Sequence, residues 1–149
     1  MKQCVYAALA IISLLAVSAC SDDTGDISRD SEPFDGIAPT ATIDVGGTEP
    51  FWGLTITSYE DSYQAKYSPP ELPDGTAFPM ARFAGNNGLG FSGSWAGAPV
   101  TLALTPGDCS DGMSDRTYPY TATLQLDEVT LFGCAHTSDE PFKEGEVAP

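Results

Sequence analysis

The chain has 149 residues, and its 21 Asp and Glu against six Lys and Arg give a net charge of −15. That balance excludes nucleic acid and anionic phospholipid surfaces as partners, because both recruit proteins by having their phosphates neutralised by Lys and Arg. The length suits one modest domain rather than several.

In chain order, the first feature is a leader. Lys2 gives a positive start, Val5 to Val17 is almost wholly apolar, and Ser18-Ala19 places small residues before Cys20. This order predicts a secretory signal over residues 1–19. The apolar run falls short of the roughly 20 residues that a membrane-spanning helix needs. Val17-Ser18-Ala19-Cys20 resembles a bacterial lipobox. In a lipobox the cysteine thiol receives a diacylglyceryl group before cleavage, and the new amino terminus is then acylated. Each buried methylene contributes roughly 0.8 kcal/mol, so several chains together give a stable anchor in a membrane. Ser21 follows where an aspartate is associated with inner-membrane retention in enteric bacteria, which leans toward the outer membrane.

Residues 20–44 read as the lipidated cysteine and an acidic flexible linker. Asp22, Asp23, Asp26, Asp30, Glu32 and Asp35 occur there with Pro33 and Pro39, and no apolar period runs through them. Such composition does not repay its ordering entropy, and as a coil it would reach about 25–30 Å. The stretch 137–149, with Glu140, Pro141, Glu144, Glu146 and Pro149, reads as a similarly loose acidic tail.

Between them, residues 45–136 carry the folded domain, and the hydrophobic period there is two rather than 3.6. Trp52, Leu54 and Ile56 alternate with smaller or polar neighbours, and Tyr63, Ala65 and Tyr67 repeat the pattern until Pro69-Pro70 stops it. Met80–Ala84 and Leu89–Trp95 follow, separated by Gly85-Asn86-Asn87-Gly88, a turn-rich run. Val100, Leu102 and Leu104 mark another strand, ended by Pro106-Gly107. Thr121–Leu126 and Val129–Cys134 flank Asp127-Glu128, which predicts a tight hairpin. The expected fold is all-β, an antiparallel meander of about seven or eight strands closed or nearly closed into a small barrel. A two-sheet sandwich is the alternative.

Of the four cysteines, Cys4 leaves with the leader and Cys20 takes lipid. Cys109 and Cys134 then most simply form one disulfide in an exported domain. Paired free thiols with a metal or redox role are the rival reading, and neither cysteine lies in a Cys-x-x-Cys arrangement.

Three segments carry more than strand pattern: Gly47-Thr48-Glu49-Pro50-Phe51-Trp52, Arg82-Phe83-Ala84-Gly85-Asn86-Asn87-Gly88, and Cys109-Ser110-Asp111-Gly112-Met113-Ser114-Asp115-Arg116-Thr117-Tyr118-Pro119-Tyr120 answered by Gly133-Cys134-Ala135. Together they resemble a family of bacterial envelope proteins and lipoproteins often described only as predicted membrane proteins, some of whose members sit beside META-type (heat-shock-lipoprotein-like) domains. The resemblance spans nearly the whole folded region and implies a periplasmic β domain with a paired cysteine bridge. It brings no activity with it.

The Asp-Gly-Met-Ser-Asp-Arg loop is the candidate binding or structural segment, with Asp111, Ser114, Asp115, Arg116, Tyr118 and Tyr120 as its residues. Asp108, Asp111 and Asp115 supply the oxygen type that Ca²⁺ prefers, but their spacing does not follow the EF-hand loop. The preferred reading is structural: Arg116 pairs with Asp111 or Asp115, and Ser110 or Asp111 caps a turn. Tyr118 and Tyr120 would at best line a pocket mouth. Trp52 is expected to plug a barrel end beside Phe91 or Trp95. A hydrolase would have to use Ser110 or Ser114 with His136, the sole histidine, and Asp139 or Asp111 as orienting acid. No Gly-x-Ser-x-Gly elbow supports that arrangement. No cofactor or metal is called for. The resulting expectation is a non-enzymatic envelope lipoprotein binding an unknown ligand or envelope protein. An inhibitor of a cationic, lysozyme-type enzyme is the first alternative, and a weak hydrolase using Ser114 and His136 the second.

Overall fold

The computed structural model describes residues 32–145. The expected leader over residues 1–19, Cys20, most of the expected acidic linker and the last four residues lie outside them.

Eight antiparallel strands form a closed barrel, each paired with its sequence neighbours. They are β1 (Ile43–Thr48), β2 (Phe51–Tyr59), β3 (Ser62–Ser68), β4 (Thr76–Ala84), β5 (Leu89–Trp95), β6 (Ala98–Cys109), β7 (Tyr118–Leu126) and β8 (Val129–Thr137). Closure comes from β1 against β8, in register from Ile43↔Thr137 to Gly46↔Cys134. Among the described residues there is no helix long and apolar enough to cross a membrane.

The interior follows from the period-two pattern. Leu54, Ile56, Leu102, Leu104 and Leu124 are each no more than 1% exposed and point inward from alternate positions. An eight-stranded barrel is just wide enough for its inward side chains to fill it. Edge-to-face pairs of Tyr63 with Phe91 at 5.5 Å and Tyr67 with Trp95 at 5.0 Å add to the packing. The expected Asp127-Glu128 hairpin is present, with Leu126 opposite Val129. Asp127 takes a φ of 53° there, a left-handed conformation that aspartate tolerates better than most residues.

The ordered unit begins earlier than composition suggests. Ile43 and Asp44, read as linker, open β1, while Ile37 and Ala41 are buried. Segment 34–41 straps one barrel end. Phe34 N donates to Gly85 O at 2.7 Å, Arg82 Nη2 to Ile37 O at 3.0 Å, and Tyr63 OH to Pro39 O at 3.1 Å. Three isolated apolar side chains among acids and prolines are invisible to a periodicity argument, yet they are enough to cover a barrel mouth.

The tail is likewise partly seated. Thr137 closes β8, and Lys143 exchanges backbone hydrogen bonds with Thr117 at 2.8 and 2.9 Å. Strand β6 also continues past Pro106-Gly107, absorbing them in a register shift between Pro106 and Cys109. Such a bulge bends the strand away from its ladder, and here it delivers Cys109 toward β8.

Candidate functional site

The site is built on the outer face of β1, β7 and β8. In β1 the buried residues are Ile43, Val45 and Gly47, so Asp44, Gly46 and Thr48 face outward. In β8, Thr130, Phe132, Cys134 and His136 occupy the outward phase. Cys134 is bonded to Cys109 across a Cα–Cα distance of 5.6 Å. The disulfide therefore lies on the outside of the barrel and pulls the loop after β6 over the β8–β1 seam. At the far side of that seam Thr48 Oγ1 donates to Asp111 O at 3.0 Å.

Within the loop, Asp111 is the organising residue. Its Oδ1 accepts from the Met113 and Ser114 amides at 2.9 and 2.8 Å, and its Oδ2 accepts from Ser114 Oγ at 2.8 Å and Tyr118 OH at 3.2 Å. Ser110 Oγ accepts from the Gly112 amide at 3.2 Å. An Asp side chain that bonds amides two and three residues ahead makes a local turn at little entropic cost. The Met113 and Ser114 amides, first of all, hold the Asp111 carboxyl down to about 2, against an ordinary value of 3.8. A depressed folded value means that this carboxylate supports the loop above about pH 4 and ceases to do so as pH falls through 2. The carbon-13 shift of the Asp111 carboxyl is expected to titrate near pH 2, with the Met113 and Ser114 amides following the same curve. A midpoint near 4 with those amides unmoved would show that the loop does not hold the charge.

Arg116 does not pair with Asp111 or Asp115. Its guanidinium lies 4.2 Å from the centre of the Phe142 ring, and Nε lies 3.3 Å from Glu144 Oε1. The reason is tertiary: the 137–145 segment folds back along Thr117, bringing an aromatic face and a carboxylate that sequence distance conceals. Asp115 is exposed. Tyr120 corrects the pocket-mouth reading, being 3% exposed inside the strapped barrel end, with its OH 2.6 Å from Glu140 Oε2. Burial, and then that carboxylate, raise its pKa. Tyr118 stays at the surface, packed by His136 and Phe142 at centroid distances of 5.9 and 5.4 Å.

The Ser–His pairing gains no geometry. Ser114 donates its proton to Asp111. His136 Nε2 lies 4.0 Å from Asp44 Oδ2 and edge-on to Phe142. Asp108, Asp111 and Asp115 do not converge on a common centre: among the described residues, no group of three or more His, Cys, Asp or Glu is arranged to hold a metal ion.

Two clefts open on either side of the Thr48–Asp111 bridge. The larger, about 740 Å³, lies between Ser110–Met113 and the outer face of β1, β7 and β8, with Gly46, Gly47 and Gly133 in its wall and Phe132, Met113 and Glu49 around it. The smaller, about 280 Å³, is lined by Asp44, Tyr118 and His136 and shares Gly46, Gly47, Thr48, Asp111 and Cys134 with the larger. Phe132 is 70% and Met113 68% exposed. Neither was a candidate from sequence. The signal for Phe132 was present, since it is a large aromatic on the outward phase of a strand whose other outward neighbours are small or polar.

Trp52 lies behind this wall. It packs against Gly47 and Gly133 rather than pairing with Phe91 or Trp95, and a Cβ added at Gly47 would fall 2.1 Å from its Nε1. The 5%-exposed indole carries the only buried side-chain polar atom without a hydrogen-bond partner among the described residues.

Fold and site together define an eight-stranded antiparallel barrel with a filled interior and a disulfide-clamped loop on its outer wall. Compared with protein-family models, with curated proteins and with solved structures, the chain finds no match.

Proposed function

We propose that this chain is an envelope lipoprotein, anchored through acyl groups on Cys20, whose barrel is a non-enzymatic binding module facing the periplasm. The carrying observation is the cleft of about 740 Å³ beside a loop tied down at both Cys134 and Thr48. A surface ordered before binding loses less entropy when it engages a ligand, and a small barrel with a filled interior leaves recognition to its outer wall. Anchoring is supported by Lys2, the apolar run and Val17-Ser18-Ala19-Cys20. With Ser21 after the cysteine, the outer membrane is favoured over the inner.

The inhibitor reading, with a cationic lysozyme-type enzyme as target, draws support from Asp44, Glu49 and Asp111 along the same clefts. The hydrolase reading draws none from the hydrogen bonding of Ser114.

The intact mass of protein purified from membranes tests the anchor. Cleavage before Cys20 with thioether-linked diacylglycerol is the expected result, and a chain retaining Met1 with a free Cys20 thiol would remove it. Binding is tested by immobilising the acylated protein in envelope extract beside a Met113→Ser, Phe132→Ser variant. Equal recovery of every retained species on the two surfaces would show that the cleft is not the binding face.

A further inference from the structure

We infer that Asn87 is a site of spontaneous covalent modification, where the Gly88 backbone nitrogen displaces the side-chain amide and leaves aspartate and isoaspartate. Asn86 and Asn87 are the only asparagines in the chain, and both are exposed in the turn between β4 and β5.

Asparagine is a thermolabile residue type, and a following glycine has no side chain to keep its nitrogen away from the asparagine Cγ. The Gly88 nitrogen attacks Asn87 Cγ. The N–Cγ bond forms, the Cγ–Nδ2 bond breaks, and the amide leaves as ammonia with the Gly88 proton. Water then opens the cyclic imide. Attack at Cγ restores the ordinary backbone as aspartate, whereas attack at the main-chain carbonyl carbon routes the chain through the side chain as isoaspartate. No oxidant or reductant takes part. The Gly88 N–H donates to no backbone carbonyl among the described residues, so its nitrogen is available. Asp35-Gly36, Asp74-Gly75 and Asp111-Gly112 have the same spacing. Their carboxylates are charged at neutral pH and resist a nucleophile, while a carboxamide is neutral. The Gly75 N–H is also committed to Leu72 O at 2.9 Å, and the Gly112 N–H to Ser110 Oγ at 3.2 Å. Asn86 is followed by Asn87, whose own Cβ crowds the attacking nitrogen.

This turn is tied to the strap across the barrel end. Gly85 N donates to Gly88 O at 2.9 Å, and Gly85 O accepts from Phe34 N at 2.7 Å where the strap begins. Gly88 is pressed against β6, where a Cβ would fall 2.2 Å from Leu104 O. Isoaspartate adds one carbon to the backbone path between Asn86 and Gly88. With Gly88 held, the displacement falls on Gly85, and with it on the hydrogen bond from Phe34. Aspartate leaves the backbone path unchanged and adds only a negative charge to a chain already at −15.

The test ages the full chain, folded in detergent micelles, at neutral and mildly alkaline pH and follows it by peptide mapping. Asn87 is expected to show the mass change of NH replaced by O, ahead of Asn86, with isoaspartate among the products. The rate should rise with pH, because the backbone nitrogen attacks once it has lost its proton. Asn87→Gln should abolish the conversion. An Asn87 that keeps its amide in the folded chain, converted or not in denaturant, overturns the site, and so does earlier conversion of Asn86. Amide exchange separates the two products. In the isoaspartate fraction the Phe34 amide is expected to exchange about fivefold faster than in fresh protein, as for loss of one backbone hydrogen bond. Asn87→Asp should match fresh protein. Equal exchange at Phe34 in aged and fresh chains would overturn the link to the strap, and equal quickening by Asn87→Asp would assign the effect to charge and overturn the backbone account.

Discussion

Replacing Cys109 and Cys134 together by serine is expected to cost about 3.5 kcal/mol, from closure of a loop with a sequence separation of 25. Small domains have only about 5–15 kcal/mol in total, so the loss is a large fraction. It should lower the midpoint of thermal unfolding by about 10–20 °C. The geometry adds a local consequence. The bond spans the outside of the wall from the bulged end of β6 to β8, so the serine variant also frees Ser110–Met113 from one of its two tethers, leaving Thr48 to hold Asp111. Thermal unfolding of oxidised, reduced and Cys109→Ser, Cys134→Ser protein provides the comparison, with amide exchange at Gly112 and Met113 reporting the loop. Coincident melting of all three would mean that the bridge constrains neither the unfolded chain nor the seam.

Gly47→Ala and Gly133→Ala are expected to be the most damaging single changes in the wall, each destabilising by about 1–3 kcal/mol or more through overpacking. A methyl at Gly133 would meet Gly46 O at 2.3 Å and Trp52 Cζ2 at 3.0 Å. One at Gly47 would meet Trp52 Nε1 at 2.1 Å and Phe132 O at 2.6 Å. In both cases a backbone oxygen of the neighbouring strand is among the atoms struck, so relief requires β1 and β8 to separate. That seam is short, pairing only from Ile43 to Gly46, and its separation opens the barrel. Gly46→Ala is the control. It faces outward, its nearest atom would be Trp52 O at 3.7 Å, and its change should stay within about 0.5 kcal/mol. Urea denaturation of the three variants, with Gly47→Ala repeated in a Trp52→Phe background, separates the contributions. Partial recovery there assigns the clash to the indole, whereas an undiminished loss assigns it to Phe132 O. Wild-type stability for Gly47→Ala would refute the close approach.

The same glycines explain why β1 escapes a reading of the sequence. Gly46-Gly47 leaves Ile43 and Val45 as the only apolar beats of that strand, and Asp44 resembles the acidic residues before it. What makes the segment a strand is Trp52 on β2, opposite Gly47, which needs the space that a side chain would fill. Arg116 teaches a related lesson. Local carboxylates at Asp111 and Asp115 are the obvious partners, yet Asp111 is saturated by amides and hydroxyls, and the guanidinium finds a ring and a carboxylate from the returning tail. Phe132 is legible as an outward aromatic, but its company with Met113 depends on a loop crossing two strands.

Period-two apolar alternation, with turn residues between the runs, determined an all-β meander, because only strands place every second side chain in a common interior. Two cysteines with no other assignment determined the bridge. The tertiary structure alone decided that the sheet closes into a barrel, that strap and tail pack onto it, and that the bridge lies on its outside. These depend on the bulge after Pro106 and on the glycine–tryptophan contact at the seam, both of which join residues far apart in the chain. The cleft beneath the loop exists only once those contacts are made.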